Sequence, residues 1–264
     1  MRIGFIGLGV QGLPLALNLV SEGYELYGFD VSDEPLATLR EAGGIAAGSV
    51  GEIGRNCGLV FICVATDAQV LDVVAGEGGL LATAATGLVV VNHSTVSAET
   101  TFLLVERVAA AGARLVDAPV SGGARGAEQR TMSFIAGGDD DVLDLCEPLF
   151  RASGPTVLRT GAAGTATIAK LAHQVTIIGN ILAMAEGMRL GTAAGLPPQT
   201  VKAVIAGGLA RSFIAETWGD IKMAPHAIPI YAKDLENSLK LADRFGVEMP
   251  GVEVMRQQLE SIVP

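Results

Sequence analysis

Gly7-Leu8-Gly9-Val10-Gln11-Gly12 follows directly on the apolar run Ile3–Ile6 and opens a helix-forming stretch, Leu13–Ser21. Between a strand and a helix, this glycine spacing has a physical logic. The first glycine permits the tight turn, and the second lets backbone approach a phosphate. The third lets helix pack closely on strand, while the amides at the helix start face the anion. Asp30 closes the next apolar run about 20 residues further on, where a carboxylate can bond both hydroxyls of a ribose. Strand, glycine turn, helix and acid together specify a dinucleotide site built from Gly7, Leu8, Gly9, Val10, Gln11, Gly12 and Asp30. Asp30 repels a 2′-phosphate and no arginine follows it before Arg40, so the sequence predicts NAD, with NADP as the alternative cofactor.

Short apolar runs alternate with helical patterns up to about residue 160, as a parallel sheet covered by helices requires. The runs Ile3–Ile6, Glu25–Phe29, Leu59–Val64, Leu88–Asn92, Arg114–Asp117, Ser133–Ala136 and Thr156–Arg159 read as strands. Leu13–Ser21, Glu34–Ala42, Ala68–Val74, Ala98–Ala111 and Asp139–Ala152 read as the helices between them. After Gly161 the strand signal stops. Thr165 to Ala194 is helix-compatible and apolar on more than one face, the pattern of a helix buried nearly all round. Pro197-Pro198 marks a turn, and shorter helices are predicted at Gln199–Ala206, Phe213–Ile221, Ile230–Phe245 and Val252–Ser261. The expected fold is α/β: a Rossmann-type doubly wound sheet over residues 1–162. An all-α C-terminal domain over 163–264 follows, entered through a long interdomain helix.

Composition narrows the function classes. Half of the 264 residues are apolar and 17% are charged, which excludes general disorder. A net charge of −10 argues against nucleic acid or an anionic membrane as the partner, without excluding a small anionic substrate. The uncharged stretch from Gly78 to Ala98 is broken by glycines, threonines, Asn92 and His93, which is not a bilayer-spanning pattern. The apolar start runs into the glycine turn with no small-residue cleavage site, so no signal peptide is read there. Cys57, Cys63 and Cys146 lack metal-ligand spacing and are expected to be buried reduced thiols in a cytoplasmic protein; no metal site is expected.

A dinucleotide enzyme still needs a group to move a proton. Lys170, on the apolar helix just after the sheet domain, is the candidate general acid/base; a partly desolvated lysine has a lowered pKa that suits proton transfer near neutrality. Ser121-Gly122-Gly123 offers a hydroxyl and backbone amides suited to a substrate carboxylate. These blocks, in order and spacing, resemble the β-hydroxyacid dehydrogenase family, which includes 3-hydroxyisobutyrate dehydrogenase, tartronate semialdehyde reductase and, more distantly, 6-phosphogluconate dehydrogenase. The resemblance rests on Ile3 to Gly9 with Gly12, Pro14 and Asn18, on Asp117-Ala-Pro-Val-Ser-Gly-Gly123, on Gly161 to Gln174, and on Lys233-Asp234-Leu235 with Leu239 and Ala242. It implies that Ser121, Gly122 and Gly123 bind substrate and that Lys170 is catalytic. It further implies that Ser94 and Thr95 face the nicotinamide ribose, and that Val64, Ala65 and Thr66 lie near the adenine-side ribose. Lys233 and Asp234 are implied near the nicotinamide. The residues alone also allow Ser94 and Thr95 to cap a helix over Val96–Thr101, and Lys233 and Asp234 to be a surface charge pair.

The chain departs from the family beside Lys170. Two asparagines usually stand three and four residues after the lysine; here His173 and Gln174 do, on the lysine's face of the helix. Gln174 is expected to donate an amide hydrogen bond to substrate; His173 reads either as a packed histidine or as a group touching substrate. Arg125 and Arg211 are candidate clamps for a larger diacid. The resemblance also implies a further helix or two beyond Pro264. The function expected is hydride transfer between NAD(H) and a small carboxylate-bearing β-hydroxy acid or its semialdehyde or keto acid. The alternatives are an imine reductase-like enzyme and a catalytically silent dinucleotide-binding module. A homodimer is the expected assembly, because the apolar helix and short C-terminal domain carry too much apolar surface to leave exposed.

Overall fold

The computed structural model describes residues 1–219 and 227–262. The chain divides into two compact units, Met1–Lys170 and Leu171–Pro264.

The first unit opens with β1 (Ile3–Ile6), α1 (Gly12–Ser21), β2 (Leu26–Phe29), α2 (Asp33–Glu41), β3 (Ile45–Ala46) and α3 (Val50–Asn56). It continues with β4 (Leu59–Ile62), α4 (Asp67–Ala75), α5 (Leu80–Thr83), β5 (Val89–Asn92), α6 (Ala98–Ala110) and β6 (Arg114–Asp117). It then adds β7 (Val120–Ser121), α7 (Gly123–Glu128), β8 (Ser133–Gly137), α8 (Asp140–Arg151) and β9 (Thr156–Gly161). The long helix α9 (Thr165–Ala193) starts in this unit and runs into the second, which also holds α10 (Pro198–Gly207), α11 (Phe213–Glu216), α12 (Ala227–Phe245) and α13 (Pro250–Ile262).

Strands buried on both faces explain the near-continuous apolar runs. Phe5, Leu59, Phe61, Val89 and Val91 point into one core with Leu15, Leu19, Leu39, Leu149 and Phe150 from α1, α2 and α8. The alternate residues Ile6, Val60, Ile62 and Val90 point into a second core with Ile53, Val70, Val74, Leu104 and Val108 from α3, α4 and α6. Each fully buried Phe or Ile contributes about 1.5–3 kcal/mol. The sheet order is β3-β2-β1-β4-β5-β6-β8-β7, with β9 beside β8. The strands from β3 to β6 are parallel; β8 runs antiparallel to both β6 and β7. The order reverses between β1 and β4, the switch point at which open α/β sheets bind ligands. Register pairs Ile6 with Phe29 and Ile62, Ile62 with Asn92, and Asn92 with Asp117. Gly7, Asp30, Cys63, His93 and Ala118, each one residue further along, therefore line one carboxyl edge.

α9 is long and apolar enough, by length and composition, to cross a membrane. A helix buried on several sides needs the same composition, and 39% of its most apolar window is buried here. In the second unit Ile178 and Ile181 of α9 form a core with Leu235 of α12 and Val252 and Leu259 of α13.

Several boundaries differ from the sequence reading. β4 ends at Ile62 rather than Val64, because the chain turns there into the loop before α4. The helix expected at Phe213–Ile221 covers Phe213–Glu216, and residues 220 and 221 lie outside the described residues. β3, α3, α5, β7 and α7 are too short to show a period; at the start of α3 the Ser49 hydroxyl accepts the Glu52 amide at 3.1 Å.

Candidate active site

The glycine turn admits no side chain at two of its positions. Gly7 has φ +90°, and a Cβ there would lie 2.3 Å from the Cys63 carbonyl oxygen; a Cβ on Gly12 would lie 1.9 Å from the Gly7 oxygen. Around a Cβ on Gly9 there is only open space, and Gly9 and Val10 are exposed. Gln11 stands at the N-cap of α1 without a side-chain capping bond. A closely packed turn with open ground over its second glycine, at an uncapped helix start, fits a pyrophosphate. Asp30 braces this turn: one carboxylate oxygen accepts the Leu8 amide at 2.6 Å, the other the Ser32 amide at 2.9 Å.

The loop after β4 is internally satisfied. The Val64 amide donates to the Ser94 hydroxyl at 2.9 Å, and the Ala65 and Thr66 amides donate to the Gln69 side chain at 3.0 and 3.1 Å. Thr66 completes a capping box for α4. The amides of Val64, Ala65 and Thr66 are thus all engaged within the protein. Ser94 is buried and Thr95 half-buried. Their expected capping role falls instead to Ser97, whose hydroxyl accepts the Thr100 amide at 3.2 Å at the start of α6. The helix begins at Ala98, as expected from the sequence, and ahead of it Asn92 folds the Ser94 backbone into a local turn, accepting its amide at 3.1 Å.

His93, which the sequence reading passed over, stacks on Phe61 with ring centroids 5.1 Å apart and contacts Phe5, Phe134 and Phe150. Its Nδ1 donates to the Ala118 carbonyl at 2.6 Å. Burial lowers its pKa from 6.5 to about 4, opposed by that hydrogen bond. Burial likewise raises the thiols of Cys57, Cys63 and Cys146 to about 11, 12 and 12, so all three are protonated at neutral pH. All three are free thiols.

Ser121 ends β7 opposite Ser133, and the backbone then turns through Gly122 (φ +137°) and Gly123 (φ +62°) into α7. Ser121 is half-buried; Gly122 and Gly123 are exposed. This surface turn presents a hydroxyl and glycine backbone, the right kind of group for a carboxylate. Lys170 is 6% exposed. It stands one helical turn past Thr167, near the start of α9. Asp117, fully buried at the end of β6, accepts the amides of Gly164 and Thr167, each at 2.7 Å. Burial raises the Asp117 pKa, and these hydrogen bonds oppose the rise. Nothing in the sequence marked that contact, since the partners are separated by β7, β8 and β9.

In the second unit the Gln174 amide donates to Asp234 at 2.5 Å, and the Gln174 carbonyl faces His173 Nδ1 at 3.1 Å. Gln174 is buried, His173 half-buried. Asp234 is 1% exposed and lies 3.5 Å from Lys233 Nζ, so the pair is not a plain surface ion pair. Of the two candidate clamps, Arg211 is engaged with Glu216 and Arg125 is exposed on α7.

Residues 2–164 match the family model for the NAD binding domain of 6-phosphogluconate dehydrogenase. Residues 164–263 match the model described as NAD-binding of NADP-dependent 3-hydroxyisobutyrate dehydrogenase. The 2-hydroxy-3-oxopropionate reductase of Escherichia coli K12 is 31% identical over 97% of this chain and 89% of that protein. The Mycobacterium tuberculosis 3-hydroxyisobutyrate dehydrogenase structure with L-serine superposes with a TM-score of 0.88 at 24% identity, covering 98% of this chain and 92% of that one. Psf3 in complex with NADP+ and 2-OPP gives 0.86 at 26% identity, covering 98% and 93%. On these matches, which span both units, the chain belongs to the β-hydroxyacid dehydrogenase family of NAD(P)-dependent oxidoreductases.

Proposed function

We propose that this enzyme transfers a hydride between NAD(H) and a small β-hydroxy acid or its semialdehyde or keto acid, with Lys170 as the general acid/base. The observation that carries the reading is a buried lysine near the start of α9, directly after the last strand of a dinucleotide-binding sheet. The related E. coli protein is named a 2-hydroxy-3-oxopropionate reductase, and that compound carries its carboxylate one carbon away from the aldehyde.

Gly7–Gly12 and Asp30, with Val64, Ala65, Thr66, Ser94 and Thr95, would hold the dinucleotide, which would supply the hydride acceptor or donor; the family resemblance adds Lys233 and Asp234 to that set. Ser121, Gly122 and Gly123 hold the substrate carboxylate through the hydroxyl and backbone amides. Lys170 Nζ donates its proton to the carbonyl oxygen in reduction and takes it back in oxidation. Gln174 keeps one amide hydrogen on Asp234 and has its second for substrate, while its carbonyl steadies His173. The Asp30 carboxylate opposes a 2′-phosphate, which supports NAD over NADP. The acidic chain, at −10, supports a small-molecule partner rather than nucleic acid or membrane, in a soluble cytoplasmic homodimer.

A panel of small semialdehydes and 3-oxo acids, each assayed for NADH and NADPH oxidation, tests the proposal. Turnover is expected with a carboxylate-bearing semialdehyde or keto acid, with NADH preferred. Tight NADH binding without turnover on any member of the panel would overturn it.

A further inference from the structure

Asp117 contributes a fully buried carboxylate that touches neither of the glycine turns. Its two oxygens accept the amides of Gly164 and Thr167, both at 2.7 Å, at the start of the helix that carries Lys170. Room for it is made by Gly137, where a Cβ would stand 2.6 Å from the Asp117 oxygen and 2.8 Å from the Ala162 carbonyl. Thr167 is held a second time, its hydroxyl 3.1 Å from that of Thr101 on α6. Lys170 follows Thr167 by three residues, about 4.5 Å along the axis and on the same side of the helix. In the other direction, Asp117 leads through Ala118-Pro119-Val120 into Ser121, where the chain is fixed again by the pairing of Ser121 with Ser133. One carboxylate thus joins the strand that delivers the Ser121-Gly122-Gly123 turn to the helix turn that delivers Lys170.

We propose that Asp117 is a positioning residue for Lys170, setting the start and rotation of α9 against the end of β6. This rests on the reading of Lys170 as the proton-transfer group. A carboxylate kept out of water is costly unless each oxygen is hydrogen-bonded. Two backbone amides at one helix start satisfy it, and neither amide can move without losing its acceptor. Asp117 acts through the helix, and an error of about 1 Å at a reacting group costs on the order of a hundredfold in rate.

Asp117→Asn keeps the shape but turns amide hydrogens toward one of the two backbone donors. Thr167→Pro deletes one donor from the other side, in a first helical turn where a missing N–H is tolerated, and serves if Asp117→Asn does not fold. Each is measured beside Lys170→Ala, with rates normalised to NADH-binding sites so that unfolded molecules are not counted. The expected result is a kcat lowered by about ten- to a hundredfold, with NADH Kd within about twofold and substrate KM within about threefold of the native values. A folded variant of either kind that keeps more than half of the native kcat overturns the positioning role, even with a lower Tm, because a purely structural contact moves stability and not turnover. If Lys170→Ala itself remains active, the reading of the site fails and the positioning role with it. If Lys170→Ala is inactive while the Asp117 or Thr167 variant is fully active, only the positioning role fails.

Discussion

His93 shows how a single residue can be decisive for the fold and silent in the sequence. In one dimension it is a polar residue at the end of an apolar run; in the structure it closes an aromatic cluster with Phe61, Phe134 and Phe150. Its folded pKa of about 4 lies below the ordinary 6.5, so between those values the unfolded chain binds the extra proton. Its effect on stability is therefore absent above about pH 6.5 and grows unfavourable as pH falls toward 4, reaching on the order of 3 kcal/mol. Urea unfolding across this range should show the stability difference between the native protein and His93→Phe shifting in the variant's favour by about 3 kcal/mol as pH falls from 6.5 to 4; a difference that does not change with pH would contradict the account. Asp30, by contrast, stood out in the sequence through its offset from the glycine turn, and the structure places it directly after β2. Its two backbone bonds were not legible there, since they depend on how the Leu8 and Ser32 amides turn. Asp30→Asn should raise the ratio of NADPH to NADH efficiency by about tenfold, through loss of charge repulsion against the 2′-phosphate. An unchanged ratio in steady-state kinetics would count against NAD selection by this carboxylate.

Among the elements, the long ones were legible and the short ones were not. β1, β4 and β5 alternate between two apolar cores, and that double burial writes itself into the sequence as unbroken apolar runs. β7 has two residues and β3 two, too few to repeat any pattern; they exist because neighbouring strands offer them partners. The start of α6 at Ala98 was legible, but the residue that caps it was not, because Ser94, Thr95 and Ser97 are all chemically able to cap, and only the fold sends the Ser94 hydroxyl to Val64. Ser97 both caps α6 and binds Asp67, which accepts its amide at 3.0 Å and its hydroxyl at 2.5 Å. Ser97→Ala should therefore lower stability by about 1–2 kcal/mol and Tm by several degrees, read by calorimetry. Ser94→Ala should leave the α6 cap intact, as it removes no bond to that helix.

For the molecule as a whole, the change from alternating strand and helix to helix alone was visible at Gly161, and the contact division falls shortly after, at Lys170. The candidate site was legible as separate blocks. What joins those blocks was not, because the Asp117–Thr167 and Gln174–Asp234 contacts bridge 50 and 60 residues of chain. The exposed apolar side chains of the second unit, Leu190, Val204, Leu209 and Phe213 among them, keep a homodimer as the expected assembly. Sedimentation showing only monomer at micromolar concentration would contradict it. The most direct test of the central claim is the turnover of Lys170→Ala with the best carbonyl substrate and NADH. Loss of the proton donor should lower kcat by at least about a hundredfold while NADH Kd stays within about twofold of native. Retention of more than about a tenth of the native rate would contradict the assignment of Lys170 as the group that moves the proton.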